Sequence, residues 1–599
     1  MQIPDSAPFS PSQRQAIQAA ITGFSPLQAG WLSGFLANFG AAESTQNVRT
    51  TTAPAAFKVT VLYGTESGNS ETLAAENVKK LKARGYQATL LNMADTSPTA
   101  LQAVENLLVV VSTWGDGEPP DAATGFLAAL MAEDAPKLSR TRFSVCALGD
   151  TSYEKFCECG KQIDRRLEEL GANRLVARVD CDLDYEEPHA TWFSQSLAAL
   201  DSLRAASSSA ASAVAEVTAP ASTTLPFGKK NPFPSPLLRK FLLNGKGSQK
   251  ETWHLEFSLE NSGMTYQPGD ALGLVPHNAP DVVESVLRAS GLSESDKISL
   301  KDQGEVTLGE AFSSQLDITG LTSVVLGKYN ALAQSSKLAA LLEPDHAAEL
   351  NAYLHGRHVV DLLEEFPIPG LTAQSLAGLL RKLPPRLYSI ASSLKAHPDE
   401  VHLTVAAVRY EAHGKKRKGV ASTFVADLLE IGQTSGVYVH ANKNFKLPDS
   451  GDTPIIMVGP GTGIAPFRSF IEERSANGDK GKSWLFFGDQ HYTYDFLYQL
   501  EWQDYLKSGV LSRLDVAFSR DQKEKIYVQN RMRQRARELW AWLEEGAHFY
   551  VCGDASRMAH DVHETLIQIA MTEGGLTHDA ATARIEDLKK SKRYQRDVY

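Results

Sequence analysis

The chain has 599 residues, 43% of them hydrophobic and 22% charged, which is too long for one core and implies three or four domains. A net charge of −11 argues against nucleic acid and anionic membranes as partners. Five cysteines, few, odd in number and with no CxxC spacing, exclude a disulfide framework and an iron–sulfur or zinc site, so any metal chemistry must sit in another chain; free thiols point to a reducing, cytoplasmic setting.

The N-terminal stretch lacks a basic segment followed by an apolar core, so no secretory signal is expected, and no apolar run is long enough to span a bilayer. Residues 1–42 carry apolar side chains at helical spacing: Ile17 and Ile21, then Leu27, Trp31, Leu32 and Phe35. Ser10 and Ser25, each followed by a proline, are candidate N-caps. These short helices have no core of their own, so residues 1–56 are expected to be an assembly segment and linker through which the chain forms a homo-oligomer. Residues 57–203 alternate strand and helix, with strands at 59–63, 88–91, 107–113, 143–148 and 175–179 and helices at 70–84, 122–131 and 155–170. The central strands are nearly continuously apolar, as in a doubly wound parallel sheet of five strands. Residues 57–200 hold 21 acidic and 14 basic side chains, an excess of −7 that suits docking to a basic partner or merely solvates the surface. Residues 204–227 form a linker whose core, 205–224, is almost pure Ser, Ala, Thr and Val. Residues 228–448 show antiparallel strands at 252–259 and 400–410 around a helical insert at about 278–382, and residues 449–599 return to strand–helix alternation, with strands at 455–458, 484–487, 514–518 and 549–552.

The first strand runs into Thr65, Glu66, Ser67, Gly68, Asn69, Ser70, Glu71 and Thr72. Small residues and hydroxyls at a helix N-terminus, with no Lys or Arg, suit a terminal phosphate dianion bound by neutral donors. The third strand ends in Ser112, Thr113, Trp114, Gly115, Asp116, Gly117 and Glu118, and the fourth in Leu148, Gly149, Asp150, Thr151, Ser152 and Tyr153. Both loops leave carboxyl ends of strands, where doubly wound sheets bind ligands, and Trp114 and Tyr153 could sandwich the flat ring of FMN. In the middle domain Arg386 can hold a pyrophosphate, Tyr388 can lie on an isoalloxazine and Ser389 can hydrogen-bond flavin N5. Alternation puts Ser389 on the opposite face from Arg386 and Tyr388, so the strand must twist or end there. Gly419, Val420, Ala421 and Ser422 repeat the small-residue phosphate pattern, which a plain helix start explains equally well. In the last domain Gly461, Thr462 and Gly463 lie in a glycine-rich turn between an apolar strand and a helix, without the G-x-G-x-x-G spacing. Ser519, Arg520, Lys525 and Tyr527 suit an adenosine 2′-phosphate, where an NADH enzyme would more often carry a carboxylate.

Together the stretches GTESGNSE, STWGDGEPPD, LGDTSYEKF, RLYSIASS, GVAS, GPGTGIAPFRSF, YVCGDASRMAHDV and RYQRDVY resemble the diflavin reductase family from Lys58 to Tyr599. That resemblance implies a multidomain α/β and β-barrel fold: a flavodoxin-like FMN domain, an antiparallel FAD-binding β-barrel with a helical connecting insert, and a C-terminal α/β NADP-binding domain. It implies that Ser389, Cys552 and Asp597 support hydride transfer, that Tyr599 covers the FAD ring, that Gln529 joins the 2′-phosphate end and that Asp561 lies near the nicotinamide half. It also places Phe156, Cys157, Leu387, Thr404, Val405, Ala406 and Tyr410 among the cofactor-binding residues. Many members end in Trp where this chain has Tyr599. Within the family the chain is similar to bacterial flavoproteins that pass electrons from NADPH to FAD to FMN, and on to a separate sulfite reductase hemoprotein carrying siroheme and an iron–sulfur cluster, which makes sulfide in sulfur assimilation. The alternative is a free-standing NADPH reductase for a soluble cytochrome or flavodoxin.

Overall fold

The computed structural model describes residues 57–207 and 227–599, apart from Ser67, Asp116, Ser152, Asp302 and Ser556. The expected N-terminal helices at 1–42 and most of the linker lie outside the described residues. Residues 57–599 form one compact unit, and no helix among the described residues is long and apolar enough to cross a membrane.

The first module is a parallel sheet of β1 (Lys58–Gly64), β2 (Gln87–Asn92), β3 (Asn106–Ser112), β4 (Arg142–Leu148), β5 (Asn173–Arg174) and β6 (Val179–Cys181). Its order is β2-β1-β3-β4-β5, with β6 also paired to β4. Leu107 through Val111 on β3 are fully buried, because helices cover both faces. The single strand expected at 175–179 is instead two short ones. Between them Arg174 and Arg178 both reach the buried Asp164 at 3.0 Å, and these ion pairs flank the break. The helix expected at 155–170 starts at Glu158, after Cys157 in the left-handed region at φ 57°. The helix Glu186–Ser207 takes up residues 204–207, which the sequence assigns to the linker.

The second module is antiparallel: β7 (Phe233–Leu242), β8 (Thr252–Ser258), β9 (Ala271–Leu274), then, beyond the insert, β12 (Arg386–Ser389), β13 (Glu400–Ala406) and β16 (Thr434–His440). The order β12-β9-β16-β7-β8-β13 is closed into a barrel by an Ile390–Leu403 bridge. The strand expected at 400–410 stops at Ala406, and Arg409 opens a separate hairpin of β14 (Arg409–Ala412) and β15 (Lys415–Lys418). The insert joins the hairpin β10 (Lys297–Leu300) and β11 (Gly304–Thr307) to helices from Pro280–Ser290 to Ala373–Leu379. It has its own core around Phe312, Leu326, Tyr329 and Leu362.

The third module is a parallel sheet of β17 (Ile455–Val458), β18 (Ser483–Asp489), β19 (Arg513–Phe518), β20 (His548–Gly553) and β21 (Tyr594–Val598), ordered β19-β18-β17-β20-β21. One face packs on Trp484, Phe486 and Phe549, the other on Phe467, Phe470 and Tyr550. The chain terminus is itself the edge strand, with Asp597 in register with Cys552.

Candidate functional site

At the carboxyl ends of β1 and β3, where the order of the first sheet reverses, Gly68 sits at φ 88° as N-cap of the helix Asn69–Ala83. Its N–H donates to Thr65 Oγ1 at 2.9 Å, and Thr72 Oγ1 donates to Gly68 O at 3.0 Å. Ser70 Oγ and Ser112 Oγ are buried and have no hydrogen-bond partner among the described residues. Two orphan hydroxyls beside a helix N-terminus fit a phosphate, since a buried donor otherwise forfeits its hydrogen bond. Ser67, Asp116 and Ser152 lie outside the described residues. Asn69 and Glu71 are half-buried, and Glu71 is 3.7 Å from Lys443 of the barrel module. Glu66 O accepts from Asn444 Nδ2 at 3.3 Å.

The β3 loop is a tight turn in which Trp114 and Glu118 exchange backbone hydrogen bonds at 2.8 and 2.9 Å, with Gly115 and Gly117 at positive φ. Trp114 packs against the apolar cluster of the third module, whereas Tyr153 is 45% exposed. Thr113 Oγ1 accepts from Cys159 N at 3.1 Å, and Thr151 donates through N and Oγ1 to Asp182. Asp150 meets Arg381 at 3.1 Å. Leu148 and Cys157 turn inward: Cys157 Sγ donates to Ala147 O at 3.4 Å, and burial pushes the thiol up. A Cβ on Gly149 would stand 2.9 Å from Cys157 N. Cys157 thus packs behind the loop, its thiol turned toward Ala147 O. Phe156 is half-buried under Lys161.

The second centre lies between the barrel and the third module. β12 ends at Ser389, as the alternation argument requires, and Ser389 Oγ donates to Asp597 Oδ2 at 2.7 Å. Cys552 Sγ stands 3.8 Å from the same oxygen. Burial raises the Asp597 carboxyl against the pull of the Ser389 and Cys552 hydrogen bonds. Burial and the neighbouring Asp597 hold the Cys552 thiol well above its usual value. Tyr599 is half-exposed, its hydroxyl 2.6 Å from Thr462 Oγ1. Arg386 and Leu387 are exposed, and Arg386 has no ion pair among the described residues. Burial pushes the Tyr388 hydroxyl up to about 12.

Gly419 caps the four-residue helix Val420–Thr423, and Ser422 Oγ is occupied by Val408 N at 3.1 Å. Thr404 lies on β13. Its hydroxyl is buried 2.7 Å from Tyr498 OH, because its strand face turns toward the third module, and Val405 is buried in the barrel core. Ala406 is half-buried, and the exposed Tyr410 is 3.2 Å from His358 Nε2.

The third centre lies at the reversal between β17 and β20. Gly461, at φ 57°, opens the turn, and a Cβ on Gly463 would come 2.1 Å from Cys552 O, so the two loops meet as only glycine permits. Ser519 and Arg520 follow β19 and donate through their backbone to Asp489 O and Gln490 O, both at 2.9 Å. Lys525 and Tyr527 are exposed, and Lys525 has no ion pair among the described residues. Gln529 Nε2 donates to Asp561 at 2.9 Å while Gln529 Oε1 is buried and unpartnered. This mixture of free cations, an orphan acceptor and a glycine cradle fits a phosphorylated nucleotide.

Sequence patterning missed the contacts that cross modules. Gln249 accepts from Arg520 Nη1 at 3.0 Å, and Lys250 meets the buried Asp489 at 2.5 Å. Both come from the turn between β7 and β8, and no local spacing signals a partner some 240 or more residues away.

Comparison with known families matches residues 61–192 to flavodoxin, 225–424 to the FAD binding domain and 457–564 to the oxidoreductase NAD-binding domain. The chain is 48% identical over 605 residues to the sulfite reductase (NADPH) flavoprotein alpha-component of Bacillus subtilis (strain 168), covering 99% of each chain. It is 42% identical to that of Yersinia enterocolitica over 602 residues, with all of both chains covered. It is 43% identical to that of Vibrio cholerae (El Tor Inaba) over 601 residues, covering 99% of this chain and 97% of that one. With relatives this similar along its whole length, and the three domain matches in the order of the three centres, the chain belongs to the sulfite reductase (NADPH) flavoprotein alpha-component family.

Proposed function

We propose that the chain moves electrons from NADPH through FAD and then FMN to a separate sulfite reductase hemoprotein that forms sulfide. The observation that carries this reading is the Ser389–Asp597 hydrogen bond at 2.7 Å, which joins the barrel strand to the last strand of the nucleotide module. When bound, the nicotinamide supplies a hydride and the flavins turn an electron pair into single electrons. Ser389 presents its hydroxyl toward flavin N5 and is oriented by Asp597. Cys552, fully buried and protonated, fills the wall beside them and excludes water. Tyr599, anchored on Thr462, covers the FAD ring. Arg520 and Lys525 hold the 2′-phosphate, and Gln529 with Asp561 lines the path to the nicotinamide half. Thr65, Ser70 and Ser112 offer neutral donors to the FMN phosphate side.

The test is whether the flavins separate. A fragment ending near residue 205 should hold FMN alone, and the remainder should hold FAD and be bleached by NADPH. FAD in the first fragment would sink the assignment. The N-terminal segment, residues 1–56, is proposed to mediate self-assembly or hemoprotein binding. Deleting residues 1–52 should lower the oligomeric mass while NADPH-driven dye reduction survives, and unchanged light scattering would reject that role. All five cysteines are free and buried, which supports a reducing, cytoplasmic setting.

A further inference from the structure

One buried arginine ties the nucleotide turn to the strand that carries Ser389. Arg468 lies on the helix Ala465–Asn477, which follows the turn Gly461–Ile464 directly. It is only 7% exposed. Its Nη1 donates to Ala391 O at 2.6 Å and to His402 Nδ1 at 3.3 Å. Its other nitrogens meet Glu501 at 2.7 Å and Glu472 at 2.9 Å. Ala391 lies two residues beyond Ser389. The next turn of the same helix extends the grip, since Glu472 accepts from Ser393 N at 2.8 Å and Glu473 from Ser393 Oγ at 2.6 Å. The segment after β12 is thus held from the nucleotide helix, while Ser389 is held from β21.

The surrounding histidines do not read as a metal centre. His254, Glu256 and His402 place ligand atoms within 4.8 Å of one another. Yet His254 already faces Tyr498 OH at 2.9 Å and Glu256 at 3.2 Å, and His402 Nε2 faces Glu400 at 3.0 Å. The Arg468 guanidinium 3.3 Å from His402 repels a second cation. Burial and Arg468 hold His402 down to about 2, so it is neutral and accepts from the arginine. A buried ion cluster of this kind is often replaceable by apolar side chains without loss of stability. What the planar guanidinium adds is fixed geometry among four groups from separate segments.

We propose that Arg468 is a positioning residue for hydride transfer: by fixing Ala391 it sets where Ser389 stands against Asp597, and so the distance between the nicotinamide site and the flavin face. The proposal rests on the reading that Ser389 faces the flavin. A displacement of about 1 Å at a reacting centre can cost roughly 100-fold in rate. The test uses the full-length holoprotein with Arg468→Met combined with Glu472→Gln, which avoids stranding the Glu472 charge, and with Arg468→Lys. Three quantities are measured: single-turnover reduction of FAD by NADPH, NADP+ affinity, and amide hydrogen exchange at residues 391–393. The expected result is faster exchange confined to that segment, a fall in hydride rate of about tenfold or more, and NADP+ affinity within about twofold, with the Lys variant intermediate. A hydride rate within about twofold of wild type overturns the proposal. So does a loss confined to NADP+ affinity, or FAD loss with exchange raised over the whole barrel, since the cluster then only holds the fold. If the double variant does not fold, the same measurements on the Lys variant decide. Ser389→Ala is run in parallel: if it leaves the rate unchanged, the Ser389 reading fails and the proposal with it, whereas a slow Ser389→Ala beside normal Arg468 variants rejects the Arg468 role alone.

Discussion

Arg520 is committed through its backbone and free through most of its side chain. Its N–H closes onto Gln490 O at 2.9 Å, and only Gln249, a neutral partner, touches the guanidinium at 3.0 Å. A charge-assisted contact to a 2′-phosphate is worth about 1.5–3 kcal/mol. Arg520→Ala should therefore raise the NADPH KM about 10- to 100-fold and leave the NADH KM nearly unchanged; equal effects on both nucleotides would refute the role. Asp597 makes a different prediction, through pH. Burial lifts its carboxyl above the ordinary range, so the folded chain binds that proton more tightly than the unfolded chain. Its contribution to stability is complete below the ordinary carboxylate pKa of about 4 and is lost as pH rises through the folded value. Asp597→Asn removes this loss. The variant should gain thermal stability relative to wild type as pH rises above about 4, while its FAD reduction by NADPH slows. A stability difference independent of pH would show that the carboxyl is not held up by burial.

At the scale of elements, one close constraint is the meeting of two loops. Gly463 lies so near the end of β20 that a methyl group would enter Cys552 O, which is backbone and cannot swing aside. Gly463→Ala should push the nucleotide turn off β20 and weaken NADP+ binding by more than about tenfold, of the order of 1.4 kcal/mol or more, with FMN content untouched; titration calorimetry on the holoprotein would measure it, and unchanged affinity would show the turn is pliable. This glycine, the phosphate-type turns and the parallel strands were legible in the sequence for one reason. Each is a local pattern: continuous apolar runs such as Leu107 to Val111, or small residues where a strand meets a helix. What was not legible depends on partners far along the chain. The break after β5 accompanies Arg174 and Arg178 converging on Asp164. Thr404 places its hydroxyl against Tyr498 of the next module. The last residues form a strand only because β20 offers an edge. Arg468 reads as one more helix residue until Ala391 is seen against it.

At the scale of the whole molecule, the first module is docked against the other two by contacts of one sign pattern. Arg381 of the barrel module meets Asp150 at 3.1 Å and Asp182 at 3.4 Å, Lys229 meets Glu186 at 3.1 Å, and Lys301 meets Glu187 at 2.5 Å. Part of the acidic excess of the first module is met by these three basic partners. The pairs are not equal: Lys301 and Glu187 are about 70% exposed and worth little, whereas Arg381 is 21% exposed and serves two carboxylates of the first module. Trp114 is at the same time packed on the third module. With its FMN-side loops so engaged, the first module is expected to undock before it faces an external acceptor. The Ser-, Ala- and Thr-rich composition of residues 205–224 is the kind expected of a linker, and a random coil of about twenty residues reaches roughly 25 Å end to end. Salt screens partly exposed ion pairs, so raising it should favour the undocked form. Arg381→Gln should do the same at low salt, and Asp317, its partner within the insert, keeps donors from Thr319 and Gly320. The variant should show a larger radius of gyration by small-angle scattering and slower FAD-to-FMN transfer, with FAD reduction by NADPH unchanged, because the Ser389–Asp597 junction lies wholly in the other two modules. Prolines introduced into 208–224 should slow delivery to the acceptor and likewise spare the hydride step. If the radius stays constant in Arg381→Gln and at high salt, or if the hydride and delivery steps respond alike, the first module works from its docked position and the acceptor must reach FMN there.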